Sequence, residues 1–217
     1  MPHYTASEKS AEVVATGEKV KVDGTLTVLL VGVGGQGTIL AGSLLAMAAA
    51  DAGLDVKVSE IHGMSQRGGS VSTVVRMGEK VDSMVADPGC ADVVVAFESM
   101  EALRAQEFLR EGGTLFVNDE VIVPVSVAIG TFEMPEDVDG ALDGLGAVKI
   151  SAGQIAREVG SPRSTNVVLV GALSTALPFS AEDWEDAISR RVPPKTVEAN
   201  LEAFRRGREA AAPRPSA

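Results

Sequence analysis

Cysteine and histidine are scarce in this chain of 217 residues. The single cysteine, Cys90, cannot form a disulfide framework, a four-cysteine zinc site or a self-contained iron–sulfur cluster. Of the two histidines, His3 lies in a polar leader, so His62 is the only one that we expect inside the fold. The sequence therefore argues against a multi-histidine metal site, and we expect no metal ligands in this chain.

Basic residues and long apolar runs are also few. The chain has 19 Lys and Arg against 30 Asp and Glu, a net charge of −11, and no dense basic run. This balance makes nucleic acid a poor partner. The N-terminus lacks the apolar core of a signal peptide, and Gly, Ser and Thr interrupt the longest apolar segment. We therefore expect a cytoplasmic protein with no nucleic-acid or membrane partner.

The chain does contain a regular alternation of strand and helix patterns. Leu26 to Val33 is an apolar, β-branched run that predicts a buried parallel strand, and Thr38 to Ala52 predicts a buried helix. The alternation predicts an α/β fold: a Rossmann-like, mostly parallel sheet with helices on both faces and further helices at the C-terminus. We expect a polar leader at 1–24, one domain at 25–210 and a disordered tail at 211–217.

Two local features are predicted inside this domain. Ser70 to Met77 and Lys80 to Met84 flank Gly78-Glu79, which predicts a β-hairpin insertion. Ser99 is predicted to be the N-cap of a helix that ends at Gly112-Gly113.

The first candidate site is a glycine-rich loop between the first long strand and its helix. Such a loop brings backbone N–H groups and a helix N-terminus to one point, which favours an anion such as phosphate. A dinucleotide site would also need an acid that ends the second strand, about 20 residues on. Asp51 and Asp55 lie near that spacing but at the helix end and the strand start, and Glu60 ends the strand but lies later, so this signal is ambiguous. Phosphate binding and simple helix–strand packing therefore remain equal interpretations. The candidate cofactor-binding residues are Gly32, Gly34, Gly35, Gln36 and Gly37.

The second candidate site is the polar segment that follows the next strand, where open α/β sheets place their ligands. His62 could carry a proton, which makes it the only and weak catalytic candidate, but a lone histidine is more often structural. Arg67 could hold a carboxylate or phosphate through two hydrogen bonds, or could pair with an acid of the protein. The residues predicted to contact a ligand or a subunit are Glu60, His62, Gln66, Arg67, Gly68 and Gly69.

Four segments, in chain order, resemble one known family. They are VGVGGQGTILAGSLLA, EIHGMSQRGGSVSTVVRMG, NVVLVGAL and KTVEANLEAFRRG. Together they resemble the gamma-type subunit of 2-oxoacid:ferredoxin oxidoreductases over about Thr25 to Glu209. The EIHGMSQRGGSV form is most similar to the beta subunit of the indolepyruvate-specific enzymes.

The resemblance implies a function. Such a complex decarboxylates an aryl 2-oxoacid oxidatively, forms an acyl-CoA from coenzyme A and reduces ferredoxin. Thiamine diphosphate and iron–sulfur clusters would reside on a large alpha subunit. This chain would hold no cofactor alone and would be inactive by itself. It has neither the cysteines for a cluster nor a thiamine diphosphate motif of the Gly-Asp-Gly type.

The resemblance further suggests that the two loops face the partner's active site and help to place coenzyme A or the substrate carboxylate. Asn166 and Asn200 match the family pattern, and we interpret both as structural, with an inter-helix or capping hydrogen bond at Asn200. Two alternatives remain: the gamma subunit of a pyruvate or other 2-oxoacid enzyme, and a stand-alone nucleotide- or flavin-binding module.

Overall fold

The computed structural model of the chain describes residues 13–14, 20–62, 69–123, 127, 129–131 and 133–212. The predicted tail lies mostly beyond them. No helix among these residues is long and apolar enough to cross a lipid bilayer.

Two short strands precede the main sheet and pair with each other: β1 (Val13–Val14) and β2 (Lys21–Val22). The main sheet contains six strands in the order β4-β5-β3-β6-β7-β8. Their bounds are β3 (Thr25–Val33), β4 (Asp55–His62), β5 (Ser70–Gly78), β6 (Ala91–Ala96), β7 (Leu109–Asn118) and β8 (Val148–Ile150).

The helices are amphipathic or wholly apolar according to their place in the fold. They are α1 (Thr38–Asp51), α2 (Ser99–Ala105), α3 (Val138–Gly144), α4 (Ala152–Glu158), α5 (Thr165–Ser174), α6 (Ala181–Arg191) and α7 (Val197–Ala211). Short 3-10 turns cover Gln106–Phe108, Pro162–Ser164 and Pro194–Thr196.

The sheet is mixed but mostly parallel. The pairs β3–β6, β6–β7 and β7–β8 are parallel, whereas β5 runs antiparallel to both of its neighbours, β3 and β4. Five strands therefore share one direction, and β5 alone opposes them. The predicted fold class is confirmed.

Helices cover both faces of the sheet because successive residues of each buried strand point to opposite sides. Val28 and Leu30 of β3 belong to a large core with α1, α4, α5, α6 and α7. Leu29 and Val31 belong to a smaller core with α2 and α3 on the opposite face. This two-sided burial explains why the β3 sequence is continuously apolar rather than alternating.

Helix α5 is the central helix of the larger core, and every residue from Asn166 to Ser174 is buried. It crosses α7 at glycine on both helices. A Cβ atom on Gly207 would lie 1.9 Å from the carbonyl oxygen of Val168, and one on Gly171 would lie 2.1 Å from that of Phe204. The two backbones therefore touch directly, which only glycine permits.

The predicted partner strand of the β-hairpin is wrong. Lys80 to Met84 forms no strand, and β5 pairs instead with β4, on the other side of the loop that begins after His62. The reason is geometric, because β3 and β4 already occupy both edges of β5. The segment after β5 is instead held by Arg76, whose guanidinium donates to the carbonyl oxygens of Ser83 and Val85.

The predicted cap and end of α2 are also wrong. The N-cap is Glu98, whose carboxylate accepts the N–H groups of Met100 and Glu101, while Ser99 is the first helical residue. The helix ends at Ala105, and Gly112-Gly113 belong to β7. Gly112 has a φ of 74°, and the β6–β7 register shifts between Ala91 and Val93, as expected of a bulge.

Candidate functional site

The carboxyl ends of the parallel strands meet at one edge of the sheet, and both predicted loops begin there. The glycine-rich loop follows β3, and the second loop joins β4 to β5. The N–H of Gly34 donates to the carbonyl oxygen of Gly69 at 2.9 Å, so the described ends of the two loops are in direct contact. One ligand at this edge could therefore reach both loops.

Gln36 fixes the shape of the glycine-rich loop. Its Oε1 accepts the N–H of Val33 at 2.7 Å, and its Nε2 donates to the carbonyl oxygen of Phe97 at 3.1 Å. The second bond ties the loop to the end of β6. Gln36 was predicted to bind a cofactor, but the structure places its amide in these two contacts within the protein.

The same carbonyl oxygen of Phe97 accepts a second bond, from Nδ2 of the fully buried Asn118 at 3.2 Å. Asn118 also donates to Glu120 at 3.1 Å, and its Oδ1 accepts the N–H of Ala152 at the start of α4. The ends of β6 and β7 and the start of α4 are thus joined by one amide side chain.

Two glycines of the loop are needed for close packing. A Cβ on Gly32 would lie 2.9 Å from Cβ of Phe97 and 2.8 Å from Oε1 of Gln36. Gly37, the N-cap of α1, has a φ of 87°, and a Cβ there would lie 2.4 Å from Nδ2 of Asn166. Gly35 differs, because it is exposed and has open space around the position of a Cβ.

A cavity of about 560 Å³ opens beside this loop. Its lining combines the start of α1 with polar groups from three other segments. They are Gly35, Gln36, Gly37, Leu40, Phe97, Glu120, Pro162, Arg163, Thr165 and Asn166. Arg163 forms no ion pair with any described residue, and the N-cap of α1 is Gly37, which has no side chain to bond the first-turn amides. A guanidinium and free helix amides suit an anionic ligand.

The second loop is described only at its ends. Glu60 lies in β4 opposite Thr73, and His62 ends that strand opposite Val71. Gly69 contacts the glycine-rich loop as described above. Gln66, Arg67, Gly68 and the side chain of His62 lie outside the described residues, so their predicted roles remain predictions.

A buried acid lies behind this edge. Glu98 is only 1% exposed, and burial raises the pKa of its carboxyl group above the ordinary value for glutamate. Backbone N–H groups of Met100, Glu101 and Ile122 oppose that rise. Glu98 therefore ties the start of α2 to the segment after β7.

Sequence reasoning did not identify most of the cavity. Asn166 was interpreted as structural, yet it lines the cavity and contacts Gly37. Glu120 and Arg163 were not singled out; the Asn118-x-Glu120 pattern after a buried strand could have indicated Glu120, whereas no such pattern marks Arg163. Asn200 matches its interpretation: it donates to the carbonyl of Thr196 and accepts from Ser164, the residue before α5.

The fold and this edge define a class, namely an α/β domain with a glycine-rich loop and a polar cavity at the carboxyl ends of its strands. The family model "Pyruvate ferredoxin/flavodoxin oxidoreductase" matches residues 27–210. The chain belongs to this family and is a subunit of a 2-oxoacid oxidoreductase, as the sequence predicted.

Several relatives are similar over nearly their whole length. The indolepyruvate oxidoreductase subunit IorB of Thermococcus kodakarensis is 42% identical over 85% of this chain and 95% of its own. The protein of the same name from Archaeoglobus fulgidus is 40% identical, over 88% and 98% respectively. The 2-oxoglutarate synthase subunit KorC of Methanothermobacter marburgensis is 34% identical, over 83% and 93%.

Solved structures share the fold. The gamma subunit of a keto/oxoacid ferredoxin oxidoreductase from Geobacter sulfurreducens has a TM-score of 0.64 at 28% identity, over 86% of this chain and 98% of its own. The 2-oxoglutarate:ferredoxin oxidoreductase of Magnetococcus marinus, solved with 2-oxoglutarate, coenzyme A and succinyl-CoA, has a TM-score of 0.68 at 27% identity. This chain covers 31% of that one and is 86% covered by it, so there the same fold is part of a longer polypeptide.

Proposed function

We propose that this chain is the small, gamma-type subunit of an indolepyruvate:ferredoxin oxidoreductase. The observation that supports the proposal is sequence identity, which is higher to relatives named for indolepyruvate than to relatives named for 2-oxoglutarate. The subunits named for indolepyruvate are 37–42% identical to this chain, whereas those named for 2-oxoglutarate are 33–35% identical. The complex would convert an aryl 2-oxoacid into an acyl-CoA and carbon dioxide and pass two electrons to ferredoxin.

The proposal assigns the redox cofactors to a larger partner subunit. Enzymes of this family use thiamine diphosphate, coenzyme A and iron–sulfur clusters. On the partner, thiamine diphosphate would supply the electron sink for decarboxylation, and the clusters would supply the path for electrons to ferredoxin. A single cysteine cannot supply the ligands of a cluster. The described residues also contain no group of three or more His, Cys, Asp or Glu that could hold a metal ion.

The role proposed for this chain is to bind an anionic ligand and to exclude water from it, rather than to transfer electrons. The first-turn amides of α1, together with Arg163, would hold an anionic part of coenzyme A or of the 2-oxoacid in the cavity. Gln36 and Asn118 would keep the cavity walls in place through the carbonyl oxygen of Phe97. Arg67 of the second loop would add a bidentate contact to a phosphate or carboxylate.

The substrate is tested in the complex of the full chain with its large subunit. We expect kcat/KM of ferredoxin reduction to be at least about ten times higher with indolepyruvate or phenylpyruvate than with pyruvate or 2-oxoglutarate. A pocket shaped for an aryl group makes fewer contacts with a small 2-oxoacid and therefore binds it more weakly. Absorbance of reduced ferredoxin measures the rate. A preference for 2-oxoglutarate would contradict the assignment, and a flavin or nicotinamide spectrum of the lone chain would favour a nucleotide-binding module.

Arg67→Ala is expected to raise the KM for coenzyme A by roughly ten-fold or more, because a charge-assisted contact to an anion contributes about 1.5–3 kcal/mol. Initial rates of the complex at varied coenzyme A concentrations measure this effect. The KM for the 2-oxoacid, measured in parallel, would show the same rise if Arg67 held the carboxylate instead.

Arg191→Ala provides the matched control for this change. Arg191 is exposed at the end of α6, next to Arg190, which pairs with Asp51 at the last residue of α1. The 14 residues of α1 put that end about 20 Å from Gly37. The control loses the same charge but should keep wild-type kinetics. Wild-type kinetics in Arg67→Ala as well, with the complex intact, would overturn the role of Arg67.

A further inference from the structure

Three consecutive apolar side chains are exposed immediately after the site. Val121, Ile122 and Val123 are 49%, 41% and 53% exposed, and we call them the 121–123 ridge. Single exposed apolar residues are common on soluble proteins, whereas three consecutive ones offer more apolar area to a partner than a single residue does. The ridge follows β7 at the same edge of the sheet as the two loops.

The ridge is held in place from below. The buried carboxylate of Glu98 interacts with the backbone N–H of Ile122, and the N–H of Ser99 donates to the carbonyl oxygen of Glu120 at 3.0 Å. Both anchors lie at the start of α2, on rigid secondary structure. The backbone at Glu120 and Ile122 is therefore tied to the start of α2, which lowers the entropy that a partner would lose in ordering this segment.

The ridge also borders the cavity. Glu120, the residue directly before Val121, lines the 560 Å³ cavity, and Asn118 donates to its carboxylate. A partner protein that covers the ridge would therefore lie at the rim of the cavity and restrict the entry of water. Of the two acids beside the ridge, Glu120 pairs with Arg157 at 4.0 Å, whereas Asp119 is exposed and, among the described side chains, accepts a bond only from the hydroxyl of Ser151. The charge of Asp119 would therefore favour a basic side chain beside the apolar surface that meets the ridge.

We propose that the 121–123 ridge is the docking point for an apolar surface, with a basic residue beside it, on the large subunit of the complex. This inference rests on the proposed function, since it names the partner of the same site. In the Magnetococcus marinus relative the matching region is 31% of one longer chain, so most of that polypeptide lies outside this fold.

A second apolar surface offers a direct comparison. A groove of about 330 Å³ lies on the sheet face that carries α2, with Ser72 and Val74 in its floor and Met84 and Val85 in its wall. Met84 and Val85 are 47% and 62% exposed, close to the values on the ridge. Their replacement therefore removes a similar apolar area at a different place.

The test compares two double variants. One combines Val121→Ser and Val123→Ser on the ridge, and the other combines Met84→Ser and Val85→Ser in the groove. Each full chain is titrated against the isolated large subunit by calorimetry, after circular dichroism has verified its melting temperature. We expect the Kd of the ridge variant to rise about ten-fold or more, and that of the groove variant to stay within about two-fold of wild type. If the ridge variant unfolds early, Val123→Ser alone replaces it.

A ridge variant that binds like the wild type would overturn the proposal. So would an equal loss in both variants, or a loss confined to the groove variant, which would place the partner in the groove. The proposed function fails by a different result: a wild-type complex that assembles with full affinity but oxidises no 2-oxoacid. The Kd of the complex therefore tests the docking surface, whereas the rate of 2-oxoacid oxidation tests the proposed function.

Discussion

Gly207→Ala is expected to destabilise the protein by about 3 kcal/mol or more, because the new methyl group would overlap the backbone carbonyl of Val168. A backbone atom of a buried helix cannot rotate away as a side chain can, so α7 must shift as a whole. For a chain of this size the melting temperature should fall by roughly 6–12 °C. Thermal unfolding of the isolated chain, followed by circular dichroism, measures the change.

Gly144→Ala is the matched control for this prediction. Gly144 ends α3, has no positive φ, and would find no atom within 4 Å of a new Cβ. Alanine there should be neutral or stabilising by up to about 1 kcal/mol, since it restricts the unfolded chain. Gly171→Ala should behave like Gly207→Ala, because it meets the carbonyl of Phe204. If Gly207→Ala matched the control, direct contact between the two backbones would be disproved.

Gly37→Ala is expected to cost about 2–3 kcal/mol of stability and to reduce turnover of the complex by about ten-fold or more. Two effects add up: the left-handed backbone at φ 87° disfavours alanine, and its Cβ would push against the buried amide of Asn166. Because both residues line the cavity, a shift of either one changes the proposed ligand site. Urea unfolding gives the stability, and ferredoxin reduction gives the activity.

Gly35→Ala separates the two effects. Gly35 has a φ of 102° but open space around the position of a Cβ, so alanine there incurs the backbone cost alone. A second comparison is the double variant Gly37→Ala with Asn166→Ala, which should recover part of the lost stability because the overlapping amide is gone. Equal losses in Gly37→Ala and Gly35→Ala, with no recovery in the double variant, would refute a role for the contact with Asn166.

The sequence predicted the features that depend on local pattern. The apolar run before the glycines predicted β3, and the apolar segment Thr38 to Ala52 predicted α1. Both follow from hydrophobic patterning, which neighbouring residues determine. The family resemblance added the function, because four separate segments agree in order.

The sequence could not predict features that depend on contacts between distant segments. The partner of β5 was misassigned because Gly78-Glu79 resembles a hairpin turn, whereas the pairing is decided by which strand edges are free. The cap of α2 was misassigned because a buried glutamate is a rare N-cap. The predicted lining of the cavity was incomplete because it also depends on distant segments: Asn166 contacts Gly37, which lies 129 residues away in the sequence.

Helix α5 joins the site to the rest of the larger core. At its start, Asn166 contacts Gly37. Five residues later, about 7 Å along the same helix, Gly171 contacts α7. A lesion in the α5–α7 crossing therefore displaces the cavity wall as well as the core. In a mutational scan scored by activity, α7 would resemble part of the proposed ligand site, although no residue of α7 lines the cavity. Scoring abundance alongside activity would separate these positions from true ligand contacts.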